Sequence, residues 1–176
     1  MSNVHGYSLW LVPDTNSEAY RALARCIADI SKKYQTPDFV PHATLLGSVG
    51  NTEKDMRAKT QELAGELAPY EIRLDEIGSN RTYFQILFSK IEQTEAVMRA
   101  NTIAQKVFVI DQGTYLPHLS LAYGDLSPEQ IALLKQLLER DLIPGTKFIV
   151  REIELWHTEG EVGDWCNVST FPFNDS

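Results

Sequence analysis

The chain has 176 residues and a mass of 19.9 kDa, enough for a sizeable core, and we expect residues 1–176 to form one domain. Hydrophobic residues make up 43% and charged residues 23%, an ordinary globular composition that argues against extended disorder. The net charge of −8 disfavours a long nucleic-acid partner, because neutralising backbone phosphates requires a basic surface. A small phosphate ester held in a local pocket is compatible with this charge.

No apolar run approaches the ~20 residues of a membrane helix, so we expect no membrane partner. The first residues contain neither the basic nor the apolar part of a secretory signal, and we expect a cytoplasmic protein. Two cysteines, Cys26 and Cys166, are too few for a disulfide scaffold or a cysteine metal site. We predict that both are reduced structural thiols.

The first part of the chain shows a strand pattern, a helix pattern and a second strand pattern. Residues 7–12 are rich in strand-forming side chains, and a Pro-Asp pair ends them. Across residues 17–34 apolar side chains recur every three or four positions, which predicts an amphipathic helix. Residues 36–38 break this helix, and a strand is expected at residues 39–47.

The middle of the chain predicts two more helices and a hairpin. Thr52 is a capping residue for one helix and Thr94 for the other. Residues 70–75 alternate apolar and polar side chains, as a half-buried strand does, and residues 83–88 are rich in strand formers. These two segments favour a β-hairpin. Residues 107–110 fit either the start of a short strand or the end of the preceding helix.

The last part begins with a strand at residues 115–124. A helix then starts at Ser127, which precedes a proline at the first helical position, and is expected to reach Asp141. Strands are predicted at residues 147–156 and 165–171. The order predicts an α+β class: a bilobal single domain with two mainly antiparallel sheets, helices packed outside, and pseudo-twofold related lobes around a central cleft.

Two segments of the chain, FVPHATLLG and YLPHLSLAYG, are close copies of each other and lie almost half the chain apart. Both read aromatic, aliphatic, Pro, His, apolar, Thr or Ser, Leu. Residues i and i+2 of a strand share one face, so His42 points with Thr44, and His118 with Ser120. Each strand therefore offers an imidazole and a hydroxyl on one face, and the repeat suggests two half-sites facing one cleft.

Two imidazoles and two hydroxyls around one phosphate are what hydrolysis of a phosphodiester without a metal requires. One neutral histidine takes a proton from water, and the other, protonated, gives a proton to the leaving oxygen. An ordinary histidine pKa of ~6.5 lets both forms coexist near neutrality. We predict that His42 and His118 are this pair, with either one as the base.

Aromatic side chains near these strands are candidates for stacking a nucleobase, although core packing is the more common role of any one of them. The candidates are Trp10, Tyr83, Phe84 and Tyr123. Tyr123 differs in strand parity from His118. It reaches the site only if the strand ends or bends near Gly124.

The other potential sites are weaker. His5 and His157 lack the repeated setting and are expected to be surface or hydrogen-bonded residues. A zinc site based on His42 and His118 is unsupported, because the sequence has no H-E-x-x-H and no clustered Cys/His spacing. The glycine-rich nucleotide motifs and G-x-S-x-G are also missing. We expect no metal and no cofactor.

The paired His-x-Thr/Ser segments resemble the 2H phosphoesterase superfamily, and within it the cyclic phosphodiesterases of plant and yeast type. The resemblance covers nearly the whole chain, through residues 7–14, 41–44, 84–85 and 117–124 and the helix that begins at Ser127. A single H-x-T is a weak signal, whereas the pair with these flanks and this spacing is specific.

The resemblance implies a hydrolase that opens cyclic phosphates without a metal. Family substrates are ADP-ribose 1″,2″-cyclic phosphate and nucleoside 2′,3′-cyclic phosphates, the latter giving the 2′-phosphate. Carried over, His42 and His118 are the acid/base pair, Thr44 and Ser120 hold phosphate oxygens, and Tyr123 lies near the site. Trp10 and Phe84 are further candidates for substrate binding. Plant members carry extra disulfide-forming cysteines, a pattern that the two cysteines of this chain do not reproduce.

Two alternatives stay open at this point, and a monomer is expected in each case. One is an RNA-end or 2′,5′-linkage phosphodiesterase of the same superfamily, which would need a local basic rim such as Arg73, Arg81 and Arg151. The other is a non-catalytic module that binds a nucleotide or phosphate. The presence of both histidines favours an enzyme over a binding module.

Overall fold

A computed structural model describes residues 5–140 and 143–174 of the chain. Within these residues it contains eight strands, four α-helices and two short 3-10 turns. In chain order the elements are β1 (Tyr7–Leu11), α1 (Glu18–Tyr34), β2 (Ala43–Val49), α2 (Glu53–Gly65), β3 (Tyr70–Gly78), a turn at Tyr83–Gln85, β4 (Leu87–Ile91), α3 (Glu95–Phe108), β5 (His118–Ala122), α4 (Pro128–Arg140), β6 (Lys147–Val150), β7 (Glu152–His157), a turn at Val162–Asp164 and β8 (Cys166–Pro172).

All eight strands form one antiparallel sheet in the order β6-β3-β4-β5-β2-β1-β7-β8. The α+β class is therefore confirmed, whereas the prediction of two sheets is wrong because β2 and β5 join the two halves. The pseudo-twofold relation stays a prediction. Consecutive strands β6 and β7 lie far apart in the strand order, so the sheet must curl to bring them together.

The two strands that carry the repeated motif are central neighbours in this sheet. Ala43 pairs with Leu119 in antiparallel register. Continuing that register by one residue sets His42 beside Ser120 and Thr44 beside His118, at the short spacing of cross-strand pairs. The sheet thus brings together two segments that are far apart in sequence.

Helices cover one face of the sheet. Helix α1 packs on β5, α2 on β7 and β8, and α3 on β2. Helix α1 does this through Leu23, Ile27 and Ile30, which are all buried at steps of three and four residues. Leu119 and Leu121 of β5 are fully buried in the same core, so their neighbours on the strand face the other way. None of the helices in the described ranges is long and apolar enough to cross a bilayer.

The predicted helix starts are confirmed by side-chain caps. The hydroxyls of Ser17, Thr52, Thr94 and Ser127 each accept a hydrogen bond from the backbone N–H three residues later. Such caps satisfy backbone donors that have no partner within the helix. The expected end of the last helix at Asp141 lies outside the described residues.

Two strand predictions are wrong in detail, and the choice between helix and strand at residues 107–110 falls against the strand. Residues 83–88 divide into the 3-10 turn and β4, because the backbone oxygens of Tyr83 and Phe84 accept hydrogen bonds from elsewhere in the chain instead of from a ladder. Residues 107–110 form no strand, since α3 continues to Phe108. Residues 147–156 form two strands. Of these, β6 pairs with β3, and β7 pairs with β1 and β8.

Candidate active site

A small cavity of about 130 Å³ lies over the junction of β2 and β5. Its walls include seven of the eight side chains that the sequence analysis singled out, all but Tyr83. These are His42, Thr44, His118, Ser120, Tyr123, Trp10 and Phe84. His42, Thr44, His118 and Ser120 therefore share one face of the two strands, as strand parity predicts.

Both histidines are fixed by the same backbone contact. The Nδ1 atom of His42 lies 2.6 Å from the carbonyl oxygen of Val40, and Nδ1 of His118 lies 2.8 Å from that of Leu116. In each case a proline stands between the two residues. A carbonyl can only accept, so Nδ1 carries the proton and Nε2 is the nitrogen that can take up a second proton.

His42 lies deep in the aromatic part of the cavity. Its ring stacks on Trp10 with centroids 3.5 Å apart, and only 3% of the residue is exposed. Nε2 is 3.4 Å from the hydroxyl of Tyr123, at the long end of hydrogen-bond distance. Burial lowers the pKa of His42 to about 4; the Val40 carbonyl opposes this shift and the nearby His118 adds to it.

His118 is less enclosed. It is half-buried, and its nearest aromatic neighbour is Phe88, which it meets edge-on at a centroid distance of 5.2 Å. Burial also lowers the pKa of His118, and the bond to the Leu116 carbonyl opposes the shift. The two imidazoles are thus held alike by the backbone but differ in their exposure to water.

The hydroxyls complete each half-site. Ser120 is buried, and its Oγ donates a hydrogen bond of 3.0 Å to the backbone oxygen of Phe84. Thr44 is half-buried, and its backbone oxygen accepts a hydrogen bond from Tyr115, which ties β2 to the segment before β5. Each hydroxyl has one proton to donate, so Thr44 can donate to an anionic oxygen placed between the imidazoles, and Ser120 can do so by giving up its bond to Phe84.

The condition on Tyr123 is met. Strand β5 ends at Ala122, and Gly124 has a φ of +103°, a backbone conformation that favours glycine. This bend returns the Tyr123 side chain to the cavity despite its strand parity. Burial raises the pKa of Tyr123, so the hydroxyl stays protonated and can donate towards His42.

Comparison with known proteins identifies the family of the chain. Residues 5–172 match the model of a family described as cyclic phosphodiesterase-like protein. The chain belongs to this family, which is part of the 2H phosphoesterase superfamily. A cyclic phosphodiesterase of Arabidopsis thaliana is 29% identical over 158 residues, covering 88% of this chain and 86% of that protein.

Solved structures share the fold at low sequence identity. TT0787 of Thermus thermophilus has a TM-score of 0.66 at 18% identity and covers 96% of this chain and 97% of its own. Apo LigT of E. coli has a TM-score of 0.66 at 13% identity, with 98% and 99% covered. At these identities the likeness concerns the fold.

The predicted aromatic residues of this cyclic phosphodiesterase-like chain have different settings. Trp10 is almost fully buried and stacks between His42 and Trp156, which suits it to support the imidazole more than to bind a base. Phe84 is half-buried on the cavity wall and is the better stacking platform. Tyr83, the fourth candidate, is half-buried but is not part of the cavity wall.

Five cavity residues were not predicted from the sequence: Ser8, Gly47, Ser48, Thr158 and Trp165. Ser8 and Thr158 line the cavity and share a hydrogen bond of 2.9 Å, and Trp165 packs near Trp10, Phe84 and Tyr123. Ser8 stands two residues before Trp10 on β1, so strand parity places the two side chains on the same face. Thr158 and Trp165 come from the β7–β8 connection, and no sequence signal pointed to them.

The remaining histidines lie away from the cavity. His5 is exposed, and His157 packs edge-on against Tyr7 with its Nε2 3.8 Å from a carboxylate oxygen of Glu159. Across residues 5–140 and 143–174 no three His, Cys, Asp or Glu side chains are grouped as a metal site would require.

The basic rim that an RNA-binding site would need is not assembled at the cavity. Arg73 borders a hollow that it shares with Asp75 and Glu92, and Arg151 borders another with Asp14 and Glu152. Neither arginine lines the histidine cavity. Arg81 is exposed on the connection between β3 and β4.

Proposed function

We propose that the chain is a cyclic phosphodiesterase that hydrolyses small cyclic phosphates by acid/base catalysis with two histidines and without a metal ion. The observation that carries this proposal is the pair of imidazoles in one cavity, each with Nδ1 fixed on a backbone carbonyl. Family membership supports the reaction class. The proposed substrates are nucleoside 2′,3′-cyclic phosphates, giving the 2′-phosphate, and ADP-ribose 1″,2″-cyclic phosphate, giving ADP-ribose 1″-phosphate.

The reaction needs one neutral and one protonated imidazole. The neutral ring takes a proton from water at Nε2 while the water oxygen forms a bond to phosphorus. The bond between phosphorus and the leaving sugar oxygen breaks, and the protonated ring gives its Nε2 proton to that oxygen. Product release leaves the two proton states exchanged, and transfer through solvent restores them.

The environments favour His42 as the base and His118 as the acid. A bound phosphodiester anion raises the pKa of both rings. Burial lowers both pKa values, and His42 is the more deeply buried of the two. The proton therefore resides on the more exposed His118. Two protonated rings in one small cavity would repel each other, so a second proton is disfavoured.

The phosphate oxygens need partners that add no charge. Thr44 and Ser120 supply neutral hydroxyl donors from the two central strands. The cavity suits a small substrate, and Phe84 offers a ring for a base beside it. LigT of E. coli, which shares the fold, has been solved with phosphate and with 3′-AMP, and this supports a small nucleotide as the partner here.

The test is hydrolysis of a nucleoside 2′,3′-cyclic phosphate in the presence of EDTA. We expect turnover by the unaltered protein and a loss of at least about 100-fold in kcat/KM for His42→Ala and for His118→Ala. His5→Ala is the matched control, because His5 is exposed outside the cavity. Retained activity in either cavity variant would contradict the two-histidine mechanism, and inactivation by EDTA would contradict metal independence. Binding without turnover would indicate a phosphate-binding module instead.

A further inference from the structure

The wall of the histidine cavity contains a serine in an unusual backbone conformation. Ser48 has a φ of +54°, in the left-handed region that L-residues rarely adopt. Among the described residues, Gln35 and Val109 are the other non-glycine residues with a positive φ. Both are helix C-caps, where a left-handed residue commonly ends the helix. Ser48 lies inside strand β2, so this explanation does not apply to it.

The conformation belongs to a bulge in β2. Ser8 of β1 stands opposite two residues of β2, Gly47 and Ser48, because the pairing of the two strands shifts at this point. Two residues against one is the pattern of a β-bulge, which bends the strand and turns a side chain in a new direction. All three residues line the histidine cavity. The bulge is therefore part of the cavity wall.

Hydrogen bonds from outside the cavity hold this part of β2 in place. The Nε2 atom of Gln112 donates to the backbone oxygen of Gly47 over 2.6 Å. The Nδ2 atom of Asn101, on α3, donates to the backbone oxygen of Leu45 over 2.8 Å. A strained conformation persists where the surrounding structure fixes it, and such residues cluster at functional sites. The strain at Ser48 is thus maintained by its neighbours and calls for a functional reason.

The side chain of Ser48 is open to a ligand. Within residues 5–140 and 143–174 its hydroxyl has no hydrogen-bond partner. Of the described residues that line the cavity, Ser48 alone is exposed, and the others are buried or half-buried. Ser48 therefore lies at the rim, whereas His42 and Ser120 lie deep in the cavity. A hydroxyl at the rim can both donate and accept a hydrogen bond.

The cavity is too small for a whole nucleotide. Its volume of about 130 Å³ is below the roughly 300 Å³ at which ligand pockets commonly begin. A cyclic phosphate fits between the imidazoles, and the rest of either proposed substrate must extend out past the rim. Both substrates carry polar groups in that part, on the sugar and beyond it. The exposed hydroxyl of Ser48 offers these groups a hydrogen-bond partner.

We propose that Ser48 binds the part of the substrate that lies beyond the cyclic phosphate, and that the bulge in β2 is strained because it brings this hydroxyl to the rim. This inference rests on the proposed function and adds a specificity contact to it. Thr44 and Ser120 serve the phosphate, whereas Ser48 distinguishes a nucleotide from a bare cyclic phosphate. The contact applies to both proposed substrates, since each extends beyond its cyclic phosphate.

The first measurement compares a nucleoside 2′,3′-cyclic phosphate with ethylene phosphate, a five-membered cyclic phosphate without any substituent on the ring. Ser48→Ala keeps the β-carbon and removes the hydroxyl. We expect a loss of about 3- to 10-fold in kcat/KM for the nucleotide, mainly through a higher KM, because one neutral hydrogen bond is removed. For ethylene phosphate we expect a change of less than about 2-fold. Equal losses on the two substrates, or no loss on the nucleotide, would overturn the proposal.

The second measurement tests the link between strain and binding. Ser48→Gly removes the hydroxyl and also relieves the strain. We expect it to raise the urea midpoint of unfolding and to lower kcat/KM for the nucleotide as Ser48→Ala does. Val109→Gly is the matched control, because it relieves the same conformation at an exposed position outside the cavity. The control should raise the midpoint and keep full activity.

Two results of this second measurement would contradict the proposal. A Ser48→Gly protein that gains stability and keeps its activity would show that the bulge has no role in binding. A lowered urea midpoint in Ser48→Gly would show that the serine stabilises the bulge, and no functional reason for its conformation would then be needed.

Binding separates this inference from the proposed function. Calorimetric titration with adenosine 2′-phosphate and with inorganic phosphate requires no turnover. We expect Ser48→Ala to weaken binding of the nucleotide by about 3- to 10-fold and to leave that of inorganic phosphate unchanged. If no cyclic phosphate is hydrolysed but this difference appears, the proposed function fails while the role of Ser48 stands. If turnover occurs and Ser48→Ala binds both ligands as the unaltered protein does, the Ser48 proposal alone fails.

Discussion

The two halves of the site have nearly the same sequence and different surroundings. In both, a proline precedes the histidine and Nδ1 meets the carbonyl two residues back. His42 then stacks on Trp10 and is almost fully buried, whereas His118 meets the edge of Phe88 and is half-buried. The motif thus fixes the tautomer of each ring, and the surrounding residues set its proton affinity.

This difference supports a division of labour that the repeat itself does not indicate. A duplicated motif suggests two equivalent groups, but a proton-transfer reaction needs two groups in different states. The aromatic wall from β1 supplies the difference, because it buries one imidazole and leaves the other near solvent. The acid and base roles can be separated with a substrate that needs only one of them.

The largest expected effect depends on the leaving group. An aryl oxide departs without protonation, so an aryl phosphodiester such as bis(p-nitrophenyl) phosphate needs the base but not the acid. His118→Ala should lose about 100-fold or more in kcat/KM on a nucleoside 2′,3′-cyclic phosphate, and less than about 10-fold on the aryl ester. His42→Ala should be impaired on both. The reverse pattern would make His42 the acid and His118 the base.

The parts of the site that could be predicted are those determined by local rules. Strand parity brought His42, Thr44, His118 and Ser120 to one face, and side-chain caps marked the helix starts. The Tyr123 prediction depended on a bend that Gly124 provides through its positive φ. These features follow from spacing and from the conformational limits of single residues.

The rest depended on contacts between distant parts of the chain. The turn at Phe84 forms because Ser120, on another strand, binds its carbonyl, and local strand propensity is overruled. Trp165 reaches the cavity from the β7–β8 connection, whose position depends on the curl of the whole sheet. The single sheet depends on the junction of β2 and β5, which no local pattern shows.

A second prediction uses acid to sharpen the contrast between the histidines. The pKa of His42 falls from 6.5 to about 4 in the folded protein. Between these values the unfolded chain takes up a proton that the folded chain does not, so the folded state loses stability as pH falls from 6.5 to 4. The loss attributable to His42 is up to about 3 kcal/mol in the free energy of unfolding. His118 contributes with the same sign, because its pKa is also lowered.

Urea unfolding at a series of pH values measures this loss. His42→Gln should flatten the decline between pH 6.5 and 4, while His5→Gln, at an exposed position, should leave it unchanged. An unaltered decline in His42→Gln would show that the buried imidazole is not the source of the acid sensitivity.

The smallest effect concerns the segments that lead into the two histidines. Each begins where a helix ends in a left-handed residue: Gln35 after α1, with φ 57°, and Val109 after α3, with φ 55°. This conformation costs an L-residue roughly 1–2 kcal/mol, and a β-branched side chain is especially unsuited to it. Val109 is 83% exposed, so its replacement removes little packing.

We expect Val109→Gly to raise the free energy of unfolding by about 1 kcal/mol, and Gln35→Gly by less, because glycine relieves this strain at C-caps. Chemical denaturation checks both, and a destabilised Val109→Gly would mean that the exposed valine makes contacts whose loss outweighs the strain.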